Sequence, residues 1–261
     1  MTRLALITGA SSGIGLEFAK IHASKGGDLI LVARRKELLE SIKTDLEKEF
    51  SVQVHLIIKD LSDVNAAEDI FKEVQEKKLN VDYLINNAGF GGYGYFDDQP
   101  LEECISMINV NVTALVSLTR LFLKQMIEKN EGKILNIASM AGFISGSHHA
   151  IYYATKAFVI SFSEAIAEEL LDTNVTVTVL CPGATQTNFF NVAGMKTART
   201  LKMSFHSARD VSLVGYSAMI KGDVMVIPGI ANKVFLFFLR FLPRVIIRKI
   251  SQFVLGKENR K

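Results

Sequence analysis

The sequence is poor in cysteine and lacks a long apolar run, and both deficits narrow the class of protein. The 261 residues include only two cysteines, Cys104 and Cys181, which lie far apart without the spacing of metal ligands. This predicts neither a disulfide framework nor a metal site, and it favours a reducing, cytoplasmic location. No window reaches the ~18 consecutive apolar residues of a membrane-spanning helix. The N-terminal run "LALIT" meets glycine too early for a signal peptide.

The charge balance argues against a nucleic-acid partner. The 30 lysine and arginine residues nearly match the 27 acidic residues, and the net charge of +3 is spread along the chain. A nucleic-acid surface would need a concentrated basic field. With 49% hydrophobic residues, the chain is suited to one large domain with a substantial core.

Short apolar runs alternate with longer amphipathic segments along most of the chain. Runs such as "DLILVA" and "VTVTVL" predict buried parallel strands, and the segments between them predict helices on both faces of the sheet. We therefore predict an α/β fold, a Rossmann-type doubly wound parallel sheet of about seven strands in a single domain. We assign residues 1–229 to this domain, with a substrate lid at about 188–210, where periodicity is poor, and residues 230–261 to a C-terminal tail.

A glycine-rich stretch, "TGASSGIG" at residues 8–15, joins the first predicted strand to the first predicted helix. Glycines let a backbone turn tightly and approach a phosphate group, which then lies at the helix N-terminus. Strand-to-helix turns also carry glycine for steric reasons alone, but the position after the first strand favours nucleotide binding. The residues expected to contact the nucleotide are Gly9, Ser11, Ser12, Gly13, Ile14 and Gly15.

The end of the second predicted strand lacks the carboxylate that NAD-binding folds usually place there for the ribose hydroxyl. Arg34 and Arg35 follow that strand instead. Guanidinium groups bind a 2′-phosphate through charge-assisted bidentate hydrogen bonds, so we predict NADP(H). The alternative is a solvated basic helix start, which the helix dipole makes mildly unfavourable without a ligand.

Further features follow in order: "NNAG" at 86–89, Ser139, Tyr152 with Lys156, and "PG" at 182–183. Together with the glycine-rich stretch, this set over residues 3–229 resembles the short-chain dehydrogenase/reductase family. The resemblance implies hydride transfer between a nicotinamide and a small-molecule carbonyl or alcohol. It implies catalytic roles for Asn111, Ser139, Tyr152 and Lys156. It also implies that the cofactor contacts Asp60, Leu61, Asn87, Ala88, Gly89, Tyr152, Lys156, Pro182, Gly183, Thr185 and Thr187.

Two of the implied catalytic residues have a close neighbour of the same type. In "YYATK", helical spacing lets either Tyr152 or Tyr153 meet Lys156, and the family pattern selects Tyr152. Asn109 lies two positions before Asn111, so the register of the asparagine stays open. We expect the lysine ammonium to lower the pKa of the phenol. Tyr152 would then donate a proton to a developing alkoxide, and Ser139 a hydrogen bond to the same oxygen.

The segments expected beside the nicotinamide are apolar, which favours a bulky lipophilic ketone or aldehyde. They are "FGGYGYF" at 90–96, "GFISG" at 142–146, and Phe189, Phe190, Met195, Met203 and Phe205 in the lid. The same side chains can instead serve only to pack the lid down. His148 and His149 are expected at the surface or the pocket rim, without an assigned role.

Three other functions compete with a carbonyl reductase. A 3-ketoacyl thioester reductase would use the same chemistry. A cofactor-binding sensor or scaffold without turnover could lose Tyr152 or Lys156, yet both are present. A nucleotide-sugar epimerase shares the fold and the catalytic residues, but too few residues follow the tyrosine helix for a sugar-binding domain.

The tail is basic and amphipathic. Arg240, Arg244 and Arg248 recur at four-residue intervals among apolar side chains, and Pro243 is expected to break the helix. Such a helix can lie on an anionic membrane, cover a partner subunit or cap the substrate pocket. The family resemblance also implies a homo-dimer or homo-tetramer through the helices at 112–129 and 152–171.

Overall fold

Parallel strands form the central layer of the computed structural model, which describes residues 2–187 and 206–255. Strands β1 to β6 and β9 form one parallel sheet in the order β3-β2-β1-β4-β5-β6-β9, while β7 and β8 pair separately. The bounds are β1 Leu4–Thr8, β2 Asp28–Ala33, β3 Val54–Ile58, β4 Tyr83–Asn86, β5 Gly132–Ile137, β6 Val175–Leu180, β7 Thr185–Gln186, β8 His206–Ser207 and β9 Met225–Val226.

Helices connect the strands and cover both faces of the sheet. In chain order they are α1 Gly13–Ala23, α2 Lys36–Phe50, α3 Ala66–Glu76, α4 Leu101–Ile108, α5 Ala114–Lys129, α6 Ala150–Glu169, α7 Ala208–Lys221, α8 Ile230–Leu239 and α9 Arg244–Leu255. Short 3₁₀ turns occur at Phe96–Asp98 and Met140–Phe143. A π-helical turn, Asn109–Thr113, joins α4 to α5. The predicted doubly wound α/β fold is confirmed.

The alternation of side chains along each strand divides the core into two layers. In β1, Leu4 and Leu6 face one layer, and Ala5 and Ile7 face the other. The first layer contains buried side chains of α3 and α5, and the second contains those of α1, α2 and α7. Both faces are thus apolar, which explains why the strand sequences are almost continuously hydrophobic.

The strand order reverses beside β1, because β2 lies on one side of it and β4 on the other. In open parallel sheets a crevice forms at such a point, outside the carboxyl ends of the strands. The loops after β1 and β4 carry the glycine-rich stretch and "NNAG". The fold therefore brings these two motifs to one edge of the sheet.

Some elements differ from the sequence expectations. The sequence patterns did not predict α7, although its Val211, Tyr216 and Met219 are buried in the core. The predicted lid at 188–210 lies outside the described residues, apart from β8 and the first residues of α7. Its five named apolar residues also lie outside the described ranges, and the division into domain and tail stays a prediction.

Leu101–Lys129 has the length and hydropathy of a membrane-spanning helix. Its Leu118, Phe122 and Met126 side chains are nevertheless buried in the core layer beneath the sheet. This helical run is therefore accounted for as a core helix of the α/β fold.

Replacing Phe122 by alanine should lower the free energy of unfolding by about 3–5 kcal/mol, because a large cavity would remain. The ring is buried and meets the Phe71 ring edge-on, with a 5.2 Å centroid separation. Urea denaturation would measure the loss. The matched control is Phe96→Ala, at a ring that is 64% exposed, where we expect less than about 1 kcal/mol. Equal losses in both variants would contradict the assignment of the core.

Candidate active site

The glycine-rich loop leaves β1 and turns directly into α1. Gly9 adopts a left-handed conformation (φ +64°), and a Cβ there would lie 2.9 Å from the Cα of Ala88. Ser12 is the N-cap residue of α1, but its side chain makes no capping hydrogen bond, and no acidic residue lies in the first turn. The first N–H groups and the positive end of the helix dipole are thus left without a capping carboxylate or hydroxyl. This loop fits a bound phosphate group.

A hydrogen-bond network joins the ends of β1 and β4. The hydroxyl of Thr8 accepts hydrogen bonds from the backbone N–H groups of Asn87 and Ala88, both at 3.0 Å. The Asn87 amide donates to the carbonyl oxygens of Thr8 at 2.9 Å and Gly9 at 3.3 Å. Asn87 and Ala88 therefore lie against the glycine-rich loop, and their contact with the cofactor stays a prediction. Thr8 is a positioning residue that the sequence patterns did not indicate.

One of the two predicted arginines contacts this loop. The Arg35 guanidinium donates to the hydroxyl of Ser11 at 3.0 Å. Arg34 is exposed and forms a 3.5 Å ion pair with Asp60, which follows β3. The side chain of Leu61 is buried in the core, so any contact of that residue with a cofactor would come through its backbone. The Arg35 guanidinium beside Ser11 fits a dinucleotide that carries an additional phosphate.

Ser139, Tyr152 and Lys156 meet where β5 ends. Ser139 caps the turn Met140–Phe143, its hydroxyl accepting from the N–H of Ala141 at 3.1 Å, and it is hydrogen-bonded to Tyr152. The Lys156 ammonium donates to the carbonyl of Ile137 at 2.8 Å and lies 5.8 Å from the centre of the Tyr152 ring. The structure therefore brings these three predicted residues together.

Asn111 lies in the π-helical turn, a feature that is often found at functional sites. Its amide accepts from the N–H of Phe90 at 3.0 Å and donates to the Phe90 carbonyl at 2.9 Å and the Thr155 hydroxyl at 3.1 Å. Asn109 instead donates to the carbonyl of Ser62 at 3.1 Å. Of the two asparagines, Asn111 is therefore the one that contacts the tyrosine helix, and its catalytic role stays a prediction.

Gly89 lies between Asn111 and Lys156. A Cβ at this position would be 3.0 Å from Oδ1 of Asn111 and 3.3 Å from Nζ of Lys156. A larger residue would therefore press on two of the four predicted catalytic side chains. Gly89 therefore lies directly against the predicted catalytic side chains.

Burial changes the acidity of both central groups, and for the tyrosine the change is opposite to the sequence expectation. Burial raises the pKa of Tyr152 to about 12, and the hydrogen bond with Ser139 opposes this rise. Burial also lowers the pKa of Lys156 to about 8. The expected lowering of the phenol pKa by the ammonium was wrong for this structure, because desolvation disfavours the phenolate and the ammonium binds the Ile137 carbonyl.

The two adjacent tyrosines have different surroundings. The ring of Tyr153 packs on Gly146 and stacks against His149 with 5.9 Å between ring centroids. Burial also raises the pKa of Tyr153. Tyr152, in contrast, is the tyrosine that is hydrogen-bonded to Ser139. The geometry thus places Tyr152 in the site and Tyr153 in its wall.

The loop after β6 connects the tyrosine site to the glycine-rich loop. The Pro182 carbonyl accepts from the N–H of Met140 at 2.9 Å, and the Thr185 hydroxyl donates to the Gly183 carbonyl at 3.0 Å. Farther along, the side chain of Thr187 lies against Gly13. The predicted cofactor residues from 182 to 187 therefore extend from the catalytic group back to α1.

Of the two positions expected for His149, the surface is excluded. His149 is 3% exposed, its Nδ1 donates to the Gly92 carbonyl at 2.7 Å, and burial lowers its pKa to about 4. The neighbouring His148 has a left-handed backbone (φ +63°), and its carbonyl accepts from the N–H of Gly94 at 3.0 Å. Both histidines therefore anchor the segment 90–96. The sequence shows two histidines directly before the tyrosine helix, but nothing in that pattern indicates that one of them is buried.

A protein-family model and two relatives that match this chain are all named as dehydrogenases. The sequence profile described as short chain dehydrogenase matches residues 3–198. The NADP-dependent 3-hydroxy acid dehydrogenase of Schizosaccharomyces pombe is 35% identical over 189 residues, 70% of this chain and 72% of the relative. The human 17-beta-hydroxysteroid dehydrogenase type 3 is 35% identical over 192 residues, 72% of this chain and 60% of the relative.

Solved structures agree with the sequence comparison. A short-chain dehydrogenase from Sphingobium yanoikuyae, solved in complex with NADPH, has a TM-score of 0.83 and 30% sequence identity. The likeness covers 92% of this chain and 94% of the other.

The buried Lys156 should give the protein a stability that increases between pH 8 and pH 10. Its pKa of about 8 lies below the unfolded value of 10.5, so in this range the unfolded chain holds a proton that the folded chain has released. Between pH 8 and pH 10, we expect the free energy of unfolding to rise by about 2 kcal/mol more in the wild type than in Lys156→Met. Urea denaturation at both pH values measures this difference.

The matched control for this experiment is Lys72→Met, at an exposed lysine on α3. That variant should keep the pH dependence of the wild type. The same pH dependence in wild type and Lys156→Met would show that the ammonium is not desolvated in the folded protein.

Proposed function

The chain belongs to the short-chain dehydrogenase family of oxidoreductases, which act on alcohol and carbonyl groups, and from this we propose that it uses NADP(H) on a bulky lipophilic ketone or aldehyde. The observation that carries the proposal is the hydrogen-bonded Ser139–Tyr152 pair beside the buried Lys156. This group lies at the same edge of the sheet as the glycine-rich loop.

The cofactor part of the proposal rests on the two arginines. Arg34 and Arg35 follow β2, and Arg35 contacts Ser11 of the glycine-rich loop, so both could bind a 2′-phosphate there through charge-assisted hydrogen bonds. The names of the fission-yeast relative and of the Sphingobium structure support the same choice. When bound, the nicotinamide supplies or accepts the hydride.

Each residue of the catalytic group has a proposed task. Tyr152 holds its proton at neutral pH and would donate it to the carbonyl oxygen that is being reduced. Burial raises its pKa to about 12 and makes the phenol a weaker acid, so the transfer would depend on the positive charge of Lys156. Ser139 donates a hydrogen bond to the same oxygen. Lys156 places a positive charge near the phenol, and Asn111 holds Phe90 and Thr155 in position around it.

The surroundings of the site support a bulky apolar substrate. Tyr93 and Tyr95 lie in the segment 90–96, where their rings contact His148 and His149. The human relative is named for action on hydroxysteroids, which are large and apolar. The fission-yeast relative is named for action on 3-hydroxy acids, which carry their oxygen at the same position as the second candidate substrate, a 3-ketoacyl thioester. A sensor without turnover is disfavoured, because the tyrosine and lysine are present and brought together.

We also propose a cytoplasmic homo-oligomer. The thiols of Cys104 and Cys181 are free and buried, as suits a reducing compartment. Exposed apolar side chains on α5 and α6, Ile127 and Phe158, support contacts between copies through the helices at 112–129 and 152–171.

Tyr152→Phe should lower kcat by about 10²- to 10⁴-fold, because the proton donor is removed while the ring remains. The measurement is NADPH oxidation with bulky ketones, aldehydes and 3-ketoacyl thioesters, beside NADPH binding by fluorescence, which should be unchanged. Tyr153→Phe is the matched control and should keep its turnover. Loss of turnover in Tyr153→Phe but not in Tyr152→Phe would contradict the assigned roles, and a wild type inactive on all three classes would refute the proposed substrates.

Arg34→Ala should weaken NADPH binding by about tenfold to a hundredfold and leave NADH binding almost unchanged, because only the first dinucleotide carries the 2′-phosphate. Fluorescence titration gives both dissociation constants. Lys36→Ala removes a neighbouring positive charge that is ion-paired with Glu40, and it should change neither constant appreciably. An equal loss for NADPH and NADH in Arg34→Ala would remove the case for NADP(H).

A further inference from the structure

The last two helices expose a large apolar surface. Leu236 and Leu239 hold α8 to the rest of the protein through their buried side chains, whereas many apolar neighbours point to solvent. We call the exposed set the tail surface, with exposures from 40 to 71%: Val234, Phe235, Phe237, Phe238, Phe241, Val245, Ile246 and Ile250. Apolar patches of this kind on soluble proteins generally mark an interaction site.

The break between the helices shapes this surface. The helix α8 ends at Leu239, and the N–H groups of Ile246 and Ile247 bond to the Pro243 carbonyl as α9 begins. The rings of Phe237 and Phe241 meet edge-on with 5.4 Å between centroids across the turn. The helix is therefore broken near Pro243, as predicted, with Pro243 at the start of α9 and the aromatic cluster at the bend.

The charged side chains of residues 230–252 all have one sign. Residues 230–252 contain Lys233, Arg240, Arg244, Arg248 and Lys249 and no aspartate or glutamate. All five cationic residues are exposed. A surface that combines solvent-facing phenylalanines with unopposed cations has the composition of segments that lie in the interfacial region of anionic membranes.

We propose that the tail surface binds an anionic phospholipid bilayer, with its aromatic side chains at the boundary of headgroups and acyl chains and its cations on the lipid phosphates. A second copy of the chain is a poorer partner. A two-fold interface would bring two copies of this cationic segment together, with no acidic residue of the same segment to pair with the cations. The segment 188–205 offers no complement either, since it contains Lys196, Arg199 and Lys202 and no acidic residue.

The tail surface begins close to the catalytic region. Asn232 of α8 lies against Gly183, in the loop that reaches from the tyrosine site to the glycine-rich loop. Membrane contact through α8 and α9 would bring that region close to the lipid phase, where an apolar ketone concentrates. This consequence rests on the proposed function, whereas binding to the bilayer does not.

The test is flotation of the full-length protein with vesicles of phosphatidylcholine alone and with vesicles that also contain phosphatidylserine. We expect partition into the anionic vesicles to be at least about tenfold stronger, and to fall when salt screens the cations. Phe238→Glu combined with Phe241→Glu should lower the partition by at least about tenfold. Arg244→Ala combined with Arg248→Ala should lower it by about thirtyfold.

Two matched double variants test whether added glutamates or lost cations elsewhere on the protein have the same effect on vesicle binding. Val64→Glu with Leu101→Glu places two glutamates at other exposed apolar positions, and Lys48→Ala with Lys72→Ala removes two other exposed cations. Both double variants should bind vesicles as the wild type does. Thermal unfolding of every variant checks that the fold is retained, which the exposure of the replaced side chains leads us to expect.

Three outcomes would overturn the proposal. They are failure of the wild type to bind anionic vesicles, equally strong binding to phosphatidylcholine alone, and vesicle binding unaffected by the tail variants. Sedimentation velocity measures in addition the mass of the protein assembly in solution. If the phenylalanine variants reduce this mass and the wild type does not bind vesicles, the tail surface joins two copies of the chain. Because no readout uses turnover, failure of the proposed enzymatic function would leave these results unaffected.

Discussion

The hydrogen bond from the Lys156 ammonium to the Ile137 carbonyl determines where the rest of the site lies. It joins the second turn of α6 to the last residue of β5. Both lie inside the protein, where a charged group needs a partner. Tyr152 lies one helical turn before Lys156, and Ser139 lies two residues after Ile137, so this contact brings both hydroxyls to one place. The Ser139–Tyr152 hydrogen bond then follows from the position of the helix on the sheet.

Burial gives the same site its electrostatic character. It raises the pKa of Tyr152 and lowers that of Lys156, so it favours the neutral form of each. In an apolar interior the charge of the Lys156 ammonium is weakly screened, so its effect on Tyr152 is stronger than in water and depends on their separation. The rigid connections of the site therefore have a chemical purpose: Asn111 binds both backbone groups of Phe90, and Thr8 binds the N–H groups of Asn87 and Ala88.

Much of this architecture could be predicted from the sequence, because local rules act on neighbouring residues. The apolar strands, the glycine-rich loop, the arginines after β2 and the Y-x-x-x-K spacing all belong to short segments. Contacts between distant segments could not be predicted in the same way. The burial of His149 depends on the Gly92 carbonyl, the direction of the Tyr152 pKa shift depends on packing around the phenol, and α7 lacks a strong amphipathic pattern because much of its surface meets α1.

The π-helical turn limits which single-residue insertions and deletions the chain can tolerate. In this turn the N–H of Ala114 bonds to the carbonyl of Asn109, five residues back, so the turn accommodates one residue more than a regular helix. Deleting that residue would restore a regular ladder of hydrogen bonds but rotate α4 by about 100° relative to α5. Either the buried Cys104 and Met107 or the contacts of Asn111 would then be lost. Single-codon deletions and insertions between residues 109 and 113 should therefore be selected against, even where substitutions are tolerated.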